Sequence, residues 1–255
     1  MYSDLTPIFP AESSSRPIAL ITGASRGIGK AIAETFAQAG YDLILTCRQN
    51  REKLETLCKS LSEAYSIQAA AFIGDLGDYE TVRELFAPIR RLNLLVNNAG
   101  ISHFGLLSDL SDSEWKNLID TNLSSAFYCC REAIPHMVSE KCGKIINISS
   151  MWGQVGASCE VHYSAAKAAL IGFTKALAKE EGPSGITVNC VAPGVVETDM
   201  MAVFSPEDKA ALAEETPLCR LGAPEDVAAA VAFLASDAGA FFTGQVLAPN
   251  GGFVV

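Results

Sequence analysis

Short apolar runs alternate with longer amphipathic stretches along this chain. The runs are rich in Ile, Val and Leu on both alternating faces, which is typical of parallel strands covered by helices on both sides of a sheet. We therefore predict strands at 18–22, 42–46, 69–73, 94–97, 144–149, 186–191 and 245–248. The amphipathic stretches predict helices near 27–39, 50–65, 78–90, 112–136, 162–181 and 224–236.

This alternation predicts the fold class before any motif is considered. Repeated strand–helix–strand units with right-handed crossovers build a doubly wound parallel sheet. We expect an α/β protein with a Rossmann-type sheet of about seven strands and helices on both faces. Helix-ending residues support two boundaries, since Gly40 follows the first predicted helix and Gly182–Pro183 follows the fifth.

The ends of the pattern predict the domain organisation. Residues 1–16 lack the apolar stretch and basic start of a signal peptide, and we predict a flexible tail there, followed by a single domain over 17–255. Segment 195–220 has helical stretches without a strand and interrupts the alternation before the last helix. At the carboxyl ends of the strands it is well placed to cover a ligand, so we predict a lid, with an ordinary surface excursion as the alternative.

Composition and charge mainly exclude functions. Of the 255 residues, 49% are hydrophobic and 19% are charged, so the chain has material for a core and is not disordered. Its net charge of −10 argues against binding to nucleic acid or to an anionic membrane, and no apolar run is long enough to span a bilayer. The eight cysteines and three histidines show no ligand spacing. We expect no metal site, and reduced thiols in a cytoplasmic protein.

A glycine-rich turn, TGASRGIG at 22–29, follows the first predicted strand. Its spacing differs from the G-x-G-x-x-G fingerprint, but the physical reasons for the glycines are the same. Gly23 allows the tight turn, Gly27 lets the backbone approach a pyrophosphate, and Gly29 lets the helix pack close to the sheet. The N-terminus of the next helix offers free N–H groups to an anion. The turn therefore predicts dinucleotide binding.

The end of the second predicted strand indicates which dinucleotide is bound. NAD-binding proteins place an acidic residue there for the ribose hydroxyls. This chain has Arg48 and no carboxylate at that point, and Arg26 lies in the glycine turn. Two guanidinium groups near a 2′-phosphate favour NADP(H) over NAD(H). The alternative is that Arg48 is a solvated residue at a helix entry.

A tyrosine and a lysine four residues apart indicate proton chemistry. Tyr163 and Lys167 lie near the start of a predicted helix and so share one face. A neighbouring ammonium stabilises phenolate and lowers the tyrosine pKa toward the working range. Ser150 follows the strand at 144–149, at the sheet edge that faces the ligand crevice. Each residue alone has an ordinary structural explanation, but together they predict a catalytic group.

The chain resembles the short-chain dehydrogenase/reductase family from about Arg16 to Val255. The resemblance rests on the glycine turn, Asp75-Leu76 for the adenine pocket, Asn97-Asn98-Ala99-Gly100 beneath the central sheet, and Pro193-Gly194 with Thr198 beside the nicotinamide. It implies a catalytic tetrad of Asn122, Ser150, Tyr163 and Lys167. The expected cofactor contacts are Gly23, Ser25, Arg26, Gly27, Ile28, Gly29, Arg48, Asp75, Leu76, Asn98, Ala99, Gly100, Tyr163, Lys167, Pro193, Gly194, Val196 and Thr198.

The resemblance also implies a role for each residue of the tetrad in carbonyl reduction. Tyr163 supplies the proton as general acid, and Ser150 hydrogen-bonds the same carbonyl oxygen. Lys167 lowers the pKa of Tyr163 and binds the nicotinamide ribose. Asn122 holds a water that links Lys167 to solvent. The expected enzyme is an NAD(P)-dependent oxidoreductase in which the cofactor carries the hydride.

Within the family, the chain looks most similar to 3-oxoacyl-[acyl-carrier-protein] reductases. The similar stretches are 121–125, 185–189, 191–200, 231–237 and 250–252. This implies NADPH-dependent reduction of a small-molecule or carrier-bound ketone to a secondary alcohol, in fatty acid biosynthesis. Those enzymes dock an acidic carrier protein on basic surface residues. Here Lys141 is basic at the corresponding place, but Ser184 is not.

The loop at 151–162 resembles that of bacterial reductases of the aminopentanone modification on elongation factor P, which gives an alternative substrate. Glu160 is placed to pair with a substrate ammonium, and Trp152 to stack on it. Otherwise Glu160 caps the helix or faces solvent. His103 and His162 either line the entrance or lie on the surface. The substrate-binding candidates are therefore Trp152, Glu160 and His103.

An alternative of another class is a non-catalytic nucleotide-binding regulator on the same fold, since a fold does not fix a function. The complete set of Ser150, Tyr163 and Lys167 favours the enzyme.

An oligomer is predicted from apolar stretches that are long or lie at the chain end, at 112–136, 162–181 and 253–255. The family resemblance implies a homotetramer that assembles through those two helices.

Overall fold

A computed structural model describes residues 16–255, so residues 1–15 of the predicted tail lie outside the described residues. The strands are β1 Ile18–Ile21, β2 Asp42–Cys47, β3 Ala69–Ile73, β4 Leu94–Asn97, β5 Gly143–Ile148, β6 Ile186–Val191 and β7 Val246–Leu247. They form a parallel, seven-stranded sheet in the order β3-β2-β1-β4-β5-β6-β7. The predicted doubly wound α/β fold is confirmed.

Helices cover both faces of this sheet. They are α1 Gly27–Gln38, α2 Arg51–Tyr65, α3 Tyr79–Phe86, α4 Asp112–Ile119, α5 Ser125–Glu140, α6 Trp152–Val155, α7 Val161–Glu181, α8 Pro206–Glu215 and α9 Pro224–Ala235. One apolar core lies between the sheet and α1, α2 and α9, and the other lies between the sheet and α3, α5 and α7. All six residues of β2 are buried, which explains why its sequence is apolar on both faces.

The edge strand β7 is shorter than predicted. Its pairing with β6 is limited to Val246 with Cys190 and Leu247 with Val191. Pro249 comes two residues after Leu247 and has no N–H to donate to a ladder. Gly251 then turns the chain with φ at +66°. The C-terminal residues therefore fold back toward the ends of the central strands.

The main departure from the predicted elements is a break in the helix expected over 112–136. Between α4 and α5 lies a π-helical turn, Asp120–Ser124, in which the N–H of Ser125 donates to the carbonyl of Asp120. The side chain of Asn122 donates to the Leu118 carbonyl oxygen at 3.1 Å, beside this break. Such turns occur within α-helices, often at functional sites, and an apolar pattern does not show them.

The carboxyl ends of the strands form one edge, where a ligand crevice opens between β1 and β4 because the chain winds away from this pair in opposite directions. Segment 195–220 follows β6 at that edge and contains a 3₁₀ turn, Asp199–Val203, and helix α8. Val196 forms an isolated parallel bridge with Gly222. Among the described residues, no helix is long and apolar enough to cross a membrane.

Candidate active site

The glycine turn packs tightly against the segment that follows β4. A Cβ on Gly29 would lie 2.4 Å from the carbonyl oxygen of Gly23 and 2.5 Å from Nδ2 of Asn98. Gly23 and Gly27 have φ values of +66° and +52°, a conformation that L side chains rarely adopt. Glycine at these positions lets α1 begin directly against the ends of the central strands.

The N-terminus of α1 has the chemistry to bind an anion. Arg26 is its N-cap residue but makes no side-chain capping hydrogen bond, and the first turn contains no acidic residue. Ser25 precedes the helix and Ile28 lies in its first turn, both partly buried. The N–H groups of the first turn and the helix dipole therefore fit the pyrophosphate of a dinucleotide.

Thr22 joins the glycine turn to the segment after β4. Its Oγ1 accepts the N–H of Asn98 at 3.0 Å and that of Ala99 at 2.9 Å. The Asn98 side chain donates in return to the carbonyl oxygens of Thr22 at 2.9 Å and Gly23 at 3.2 Å. Asn98 and Ala99 thus border the crevice at the sheet edge rather than lie beneath the sheet. The sequence places Thr22 in the glycine turn but gives no sign of these hydrogen bonds, which join it to a segment more than 70 residues away.

Both arginines expected at the 2′-phosphate lie at the crevice, and each is paired with a carboxylate. Nε of Arg48 is 3.2 Å from Oδ2 of Asp75, and its guanidinium donates to Oδ1 of Asn117 at 3.2 Å. Nη1 of Arg26 is 3.2 Å from Oδ2 of Asp199. All four charged groups are about half exposed, so an incoming phosphate can compete for either arginine. Arg48 is therefore partly solvated near the start of α2 and also paired with Asp75 and Asn117.

The segment after β3 borders the same crevice. Oδ1 of Asp75 accepts the N–H of Gly77 at 3.0 Å, which holds the carboxylate in a tight turn. Leu76 is buried beside it. This turn and Arg48 together fix the side chain of Asp75, which suits a residue that presents an acceptor to an adenine ring.

The π-helical turn places Asn122 against Gly100 and Lys167. Oδ1 of Asn122 accepts the N–H of Ile101 at 3.0 Å, and Nδ2 donates to the Ile101 carbonyl oxygen at 2.9 Å. A Cβ on Gly100 would lie 2.6 Å from Oδ1 of Asn122 and 3.3 Å from Nζ of Lys167. Gly100 therefore leaves the space in which these two residues of the predicted tetrad approach each other.

Lys167 is buried, with 3% of its surface exposed. Its Nζ donates to the carbonyl oxygen of Ile148 at 2.8 Å and lies 5.6 Å from the centre of the Tyr163 ring. Burial lowers the pKa of Lys167 to about 8, because the ammonium loses hydration. The lysine and tyrosine share one helix face, as the four-residue spacing predicts.

The phenol of Tyr163 lies in the same pocket. Burial raises the pKa of Tyr163 to about 12; the Ser150 hydroxyl lowers it and the Glu160 carboxylate raises it further. This direction is opposite to the sequence prediction that Lys167 lowers the tyrosine pKa. The reason is that burial removes hydration from the phenolate, and this outweighs the hydrogen bond with Ser150 that lowers the pKa of Tyr163. Tyr163 is consequently protonated at neutral pH.

Ser150 follows β5 and is buried at the same sheet edge. Its Oγ accepts the N–H of Trp152 at 3.2 Å, which orients the hydroxyl at the start of α6. A hydroxyl that accepts one hydrogen bond retains its own proton for donation. Ser150 can therefore donate to an oxygen placed beside Tyr163.

The segment predicted to contact the nicotinamide lies between the tetrad and the glycine turn. The carbonyl of Pro193 accepts the N–H of Met151 at 2.9 Å. A Cβ on Gly27 would lie 3.4 Å from Cγ2 of Thr198. Val196, two residues before Thr198, is buried. Segment 195–220 therefore begins in contact with both halves of the crevice.

The C-terminal residues pack beside this segment. A Cβ on Gly194 would lie 2.7 Å from the Cα of Asn250, so this approach requires glycine. The ring of Trp152 meets that of Phe253 edge-on, with centroids 6.0 Å apart. Trp152, one of the expected substrate-binding residues, therefore contacts the C-terminal segment through its ring.

Glu160 occupies the N-cap position of α7, but its side chain does not cap the helix. Its carboxylate instead accepts a hydrogen bond from the hydroxyl of Ser102. The N–H of Gly105 also donates to the carbonyl of Cys159 at 2.8 Å, so the segment after β4 is joined twice to the loop before Tyr163. The capping alternative for Glu160 is wrong, and Ser102 is a contact that sequence reasoning missed.

His103 and His162 form a pair next to Glu160. Their rings meet edge-on with centroids 5.8 Å apart, and Nε2 of His103 is 3.7 Å from Oε1 of Glu114. His162 is 2% exposed, which excludes the surface alternative, whereas His103 is half exposed. Burial lowers the pKa of His162, and its Nε2 has no hydrogen-bond partner among the described residues. A position directly before Tyr163 was the only sequence signal for His162.

Comparison with known proteins identifies the class to which this fold and site belong. The family model described as short chain dehydrogenase matches residues 17–209. The chain belongs to the short-chain dehydrogenase/reductase family, and it is an oxidoreductase of that family.

Individual relatives agree with this class. The chain is 43% identical to "Uncharacterized oxidoreductase YmfI" of Bacillus subtilis over 236 residues, which cover 92% of this chain and 98% of that protein. It is 42% identical to "3-oxoacyl-[acyl-carrier-protein] reductase FabG" of Salmonella typhimurium over 239 residues, or 92% and 96% of the two chains. The crystal structure of YwfH, an NADPH dependent reductase involved in bacilysin biosynthesis, superposes with a TM-score of 0.89 at 27% identity, covering 94% of this chain and 99% of that one.

Proposed function

We propose that this protein reduces a ketone to a secondary alcohol with NADPH. The observation that carries this proposal is the meeting of Asn122, Ser150, Tyr163 and Lys167 at the carboxyl edge of the central strands, next to the glycine turn. The nucleotide-binding regulator proposed as an alternative would need the turn but not this group. Membership of an oxidoreductase family also favours the enzyme.

The residues divide the work of reduction between them. A nicotinamide cofactor, when bound beside Thr198, would supply the hydride for the carbonyl carbon. Tyr163, which is protonated at neutral pH, gives its proton to the carbonyl oxygen as that oxygen gains charge. Ser150 donates a hydrogen bond to the same oxygen and stabilises the charge. Lys167 binds the ribose hydroxyls, and Asn122 holds a water through which a proton returns to Tyr163.

NADP(H) is the preferred cofactor in this proposal. Arg48 lies at the end of β2, where an NAD-binding protein would have a carboxylate, and Arg26 lies at the start of α1. The NADPH dependence of YwfH supports this preference as well, at 27% identity. The crevice would hold the adenine of the cofactor at Asp75, its pyrophosphate at Gly27 and its nicotinamide at Thr198.

The first substrate we propose is a 3-oxoacyl thioester, including one bound to an acyl carrier protein, in fatty acid biosynthesis. Its support is the 42% identity, over nearly the full length of both chains, with a protein named 3-oxoacyl-[acyl-carrier-protein] reductase. An acidic carrier would have to dock on a local basic surface such as that of Lys141 and Lys144, because the chain as a whole carries −10.

A specific observation favours the second substrate, a ketone that carries an amine, such as the aminopentanone modification on elongation factor P. Glu160 is turned away from its helix and toward Ser102, which leaves a carboxylate near Tyr163 at the substrate side. Glu114 adds a second carboxylate beside His103. A substrate ammonium would be attracted to this end of the pocket.

We further propose a single catalytic domain over 17–255 in which segment 195–220 is a lid. The Arg26–Asp199 pair, which joins this segment to the glycine turn, supports the lid.

A homotetramer built through α5 and α7 is proposed because Phe127 of α5 is partly exposed and meets Phe173 of α7 edge-on, with ring centroids 6.4 Å apart. The proposed location is the cytoplasm.

The experiment that tests this function follows the oxidation of NADPH and NADH by absorbance, with acetoacetyl thioesters and with amine-bearing ketones. We expect turnover with NADPH and one of the two ketone classes. Tyr163→Phe should bind NADPH as the wild type does and lose at least about 100-fold in kcat. Undiminished turnover by Tyr163→Phe would sink the mechanism, and a preference for NADH would sink the cofactor proposal.

A further inference from the structure

Ser149, the residue directly before Ser150, joins the end of β5 to helix α7. It is buried, with 3% of its surface exposed, and its hydroxyl donates to the carbonyl oxygen of Lys167 at 2.8 Å. Its own N–H donates to the carbonyl of Val191 at 2.7 Å, at the end of β6. Ser149 is thus fixed to the sheet on one side and bound to the helix of the tetrad on the other.

The preceding residue binds the other end of the same lysine. Nζ of Lys167 donates to the carbonyl oxygen of Ile148 at 2.8 Å. Two consecutive residues of the sheet edge therefore hold Lys167, one by its main-chain carbonyl and one by its ammonium. The bond from the Ser149 hydroxyl fixes where α7 lies along the sheet edge. The bond to the Ile148 carbonyl oxygen fixes the direction of the lysine side chain.

The helix itself does not need the bond from Ser149. Within an α-helix the carbonyl oxygen of Lys167 already accepts the N–H of the residue four positions later. The Ser149 hydroxyl therefore donates to the second lone pair of that carbonyl oxygen. Loss of this bond leaves the helical hydrogen bonds intact. Its effect is instead on the position of α7 relative to β5.

Gly153 limits how far these groups can move. A Cβ on Gly153 would lie 2.7 Å from the carbonyl carbon of Lys167 and 2.8 Å from Oγ of Ser149. Helix α6 therefore covers the bond closely, and its first residue, Trp152, donates its N–H to Oγ of Ser150 at 3.2 Å. The same short helix contacts the Ser149–Lys167 bond and orients Ser150.

We infer that Ser149 is a positioning residue, whose hydroxyl sets α7 against β5 so that Tyr163, one turn before Lys167, faces Ser150. The inference rests on the function proposed above for the tetrad. It assigns no contact with substrate or cofactor to Ser149. Because a misplacement of about 1 Å in a reacting group can cost about 100-fold in rate, a partial shift of α7 should lower kcat by about tenfold.

The test compares Ser149→Ala with a matched control, Thr174→Val. Oγ1 of Thr174 accepts the side chain N–H of Asn147 at 2.9 Å, a buried bond that also joins β5 to α7, but two turns beyond Lys167. Each variant removes one buried hydrogen bond between α7 and the end of β5, and Thr174→Val also removes the bond from its Oγ1 to the Leu170 carbonyl oxygen within α7. We expect Ser149→Ala to lower kcat about tenfold, with the KM for the ketone and the dissociation constant of NADPH within twofold of wild type. Thr174→Val should keep kcat within twofold.

A second readout needs neither substrate nor cofactor. In protein labelled with ¹³C at lysine Cε, the resonance of Lys167, assigned by its loss in Lys167→Arg, should titrate near pH 8 in the wild type. We expect the midpoint to rise in Ser149→Ala, because a displaced helix admits water to the ammonium, and to stay unchanged in Thr174→Val. This separates the two proposals: a wild type that reduces no ketone refutes the proposed function, while the titration still decides the role of Ser149.

The inference is overturned if Ser149→Ala keeps kcat within twofold of wild type, loses no more kcat than Thr174→Val, or leaves the Lys167 midpoint unchanged. If Ser149→Ala does not fold, Ser149→Cys gives the same comparison, since a thiol fills the space but donates only weakly.

Discussion

The guanidinium of Arg26 lies 3.2 Å from the carboxylate of Asp199 and so connects the glycine turn to segment 195–220 across the mouth of the crevice. Arg26 is also one of the two arginines expected to meet the 2′-phosphate of NADPH. The same guanidinium cannot give its full set of hydrogen bonds to both anions. The carboxylate of Asp199 should therefore compete with the cofactor.

Asp199→Asn is expected to tighten NADPH binding about two- to threefold, because an exposed ion pair of this kind contributes at most about 1 kcal/mol. NADH, which has no 2′-phosphate, should change less. Titration of cofactor fluorescence measures both constants. Glu197→Gln is the control, since Glu197 forms an exposed pair with Lys209 in the same segment, away from Arg26. Weaker NADPH binding by Asp199→Asn would contradict the competition.

Arg48→Ala should change the cofactor preference. Loss of the guanidinium at the end of β2 removes a charge-assisted contact to the 2′-phosphate, and we expect NADPH to bind at least about tenfold more weakly. NADH binding should stay within about twofold. The matched control is Arg51→Ala, an exposed arginine of α2 that pairs with Glu55. Equal losses for both cofactors would show that Arg48 stabilises the fold of the crevice and does not bind the 2′-phosphate.

Glu160→Gln should lower the pKa of Tyr163. The carboxylate raises that pKa, so its neutral replacement makes the phenolate less unfavourable. Oxidation of an alcohol requires the deprotonated tyrosine, and the acid limb of its pH–rate profile should move to lower pH. Glu114→Gln, which removes the neighbouring carboxylate next to His103, serves as the control. A limb that moves upward would contradict the assignment.

The same variant separates the two proposed substrates. If Glu160 pairs with a substrate ammonium, Glu160→Gln should raise the KM of an amine-bearing ketone about tenfold and leave that of an acetoacetyl thioester within twofold. Steady-state kinetics on both substrates measures this ratio. Equal effects on the two would remove the support for the amine-bearing ketone.

Thr22→Val should lower the free energy of unfolding by about 2–4 kcal/mol, because two backbone N–H groups, of Asn98 and Ala99, lose their acceptor. Thr35→Val is the control: its hydroxyl donates to a helical carbonyl that already has a partner, and we expect a change below about 1 kcal/mol. Urea unfolding compares the two. Equal small changes would show that water replaces the threonine oxygen.

The sheet and its two helical layers were predictable because buried strands and amphipathic helices leave different spacings of apolar residues. Ser150, Tyr163 and Lys167 could be grouped from the sequence because they stand at a strand end and one helical turn apart. Asn122 was implied only by the family resemblance. The pairs Arg48–Asp75 and Ser102–Glu160 were not, since they join residues 27 and 58 positions apart on different loops. The pKa of Tyr163 was predicted in the wrong direction, because the sequence shows a neighbouring charge but not the loss of hydration.

The π-helical turn Asp120–Ser124 amounts to one residue inserted into what would otherwise be a continuous helix. Each residue of an α-helix adds about 100° of rotation, so α4 and α5 present their apolar faces in two different phases. Deletion of a single residue in this turn would restore an uninterrupted helix of good hydrogen bonding and rotate Asn122 away from Gly100. In this chain the proposed catalytic arrangement thus depends on a helix that is one residue longer than regular geometry allows.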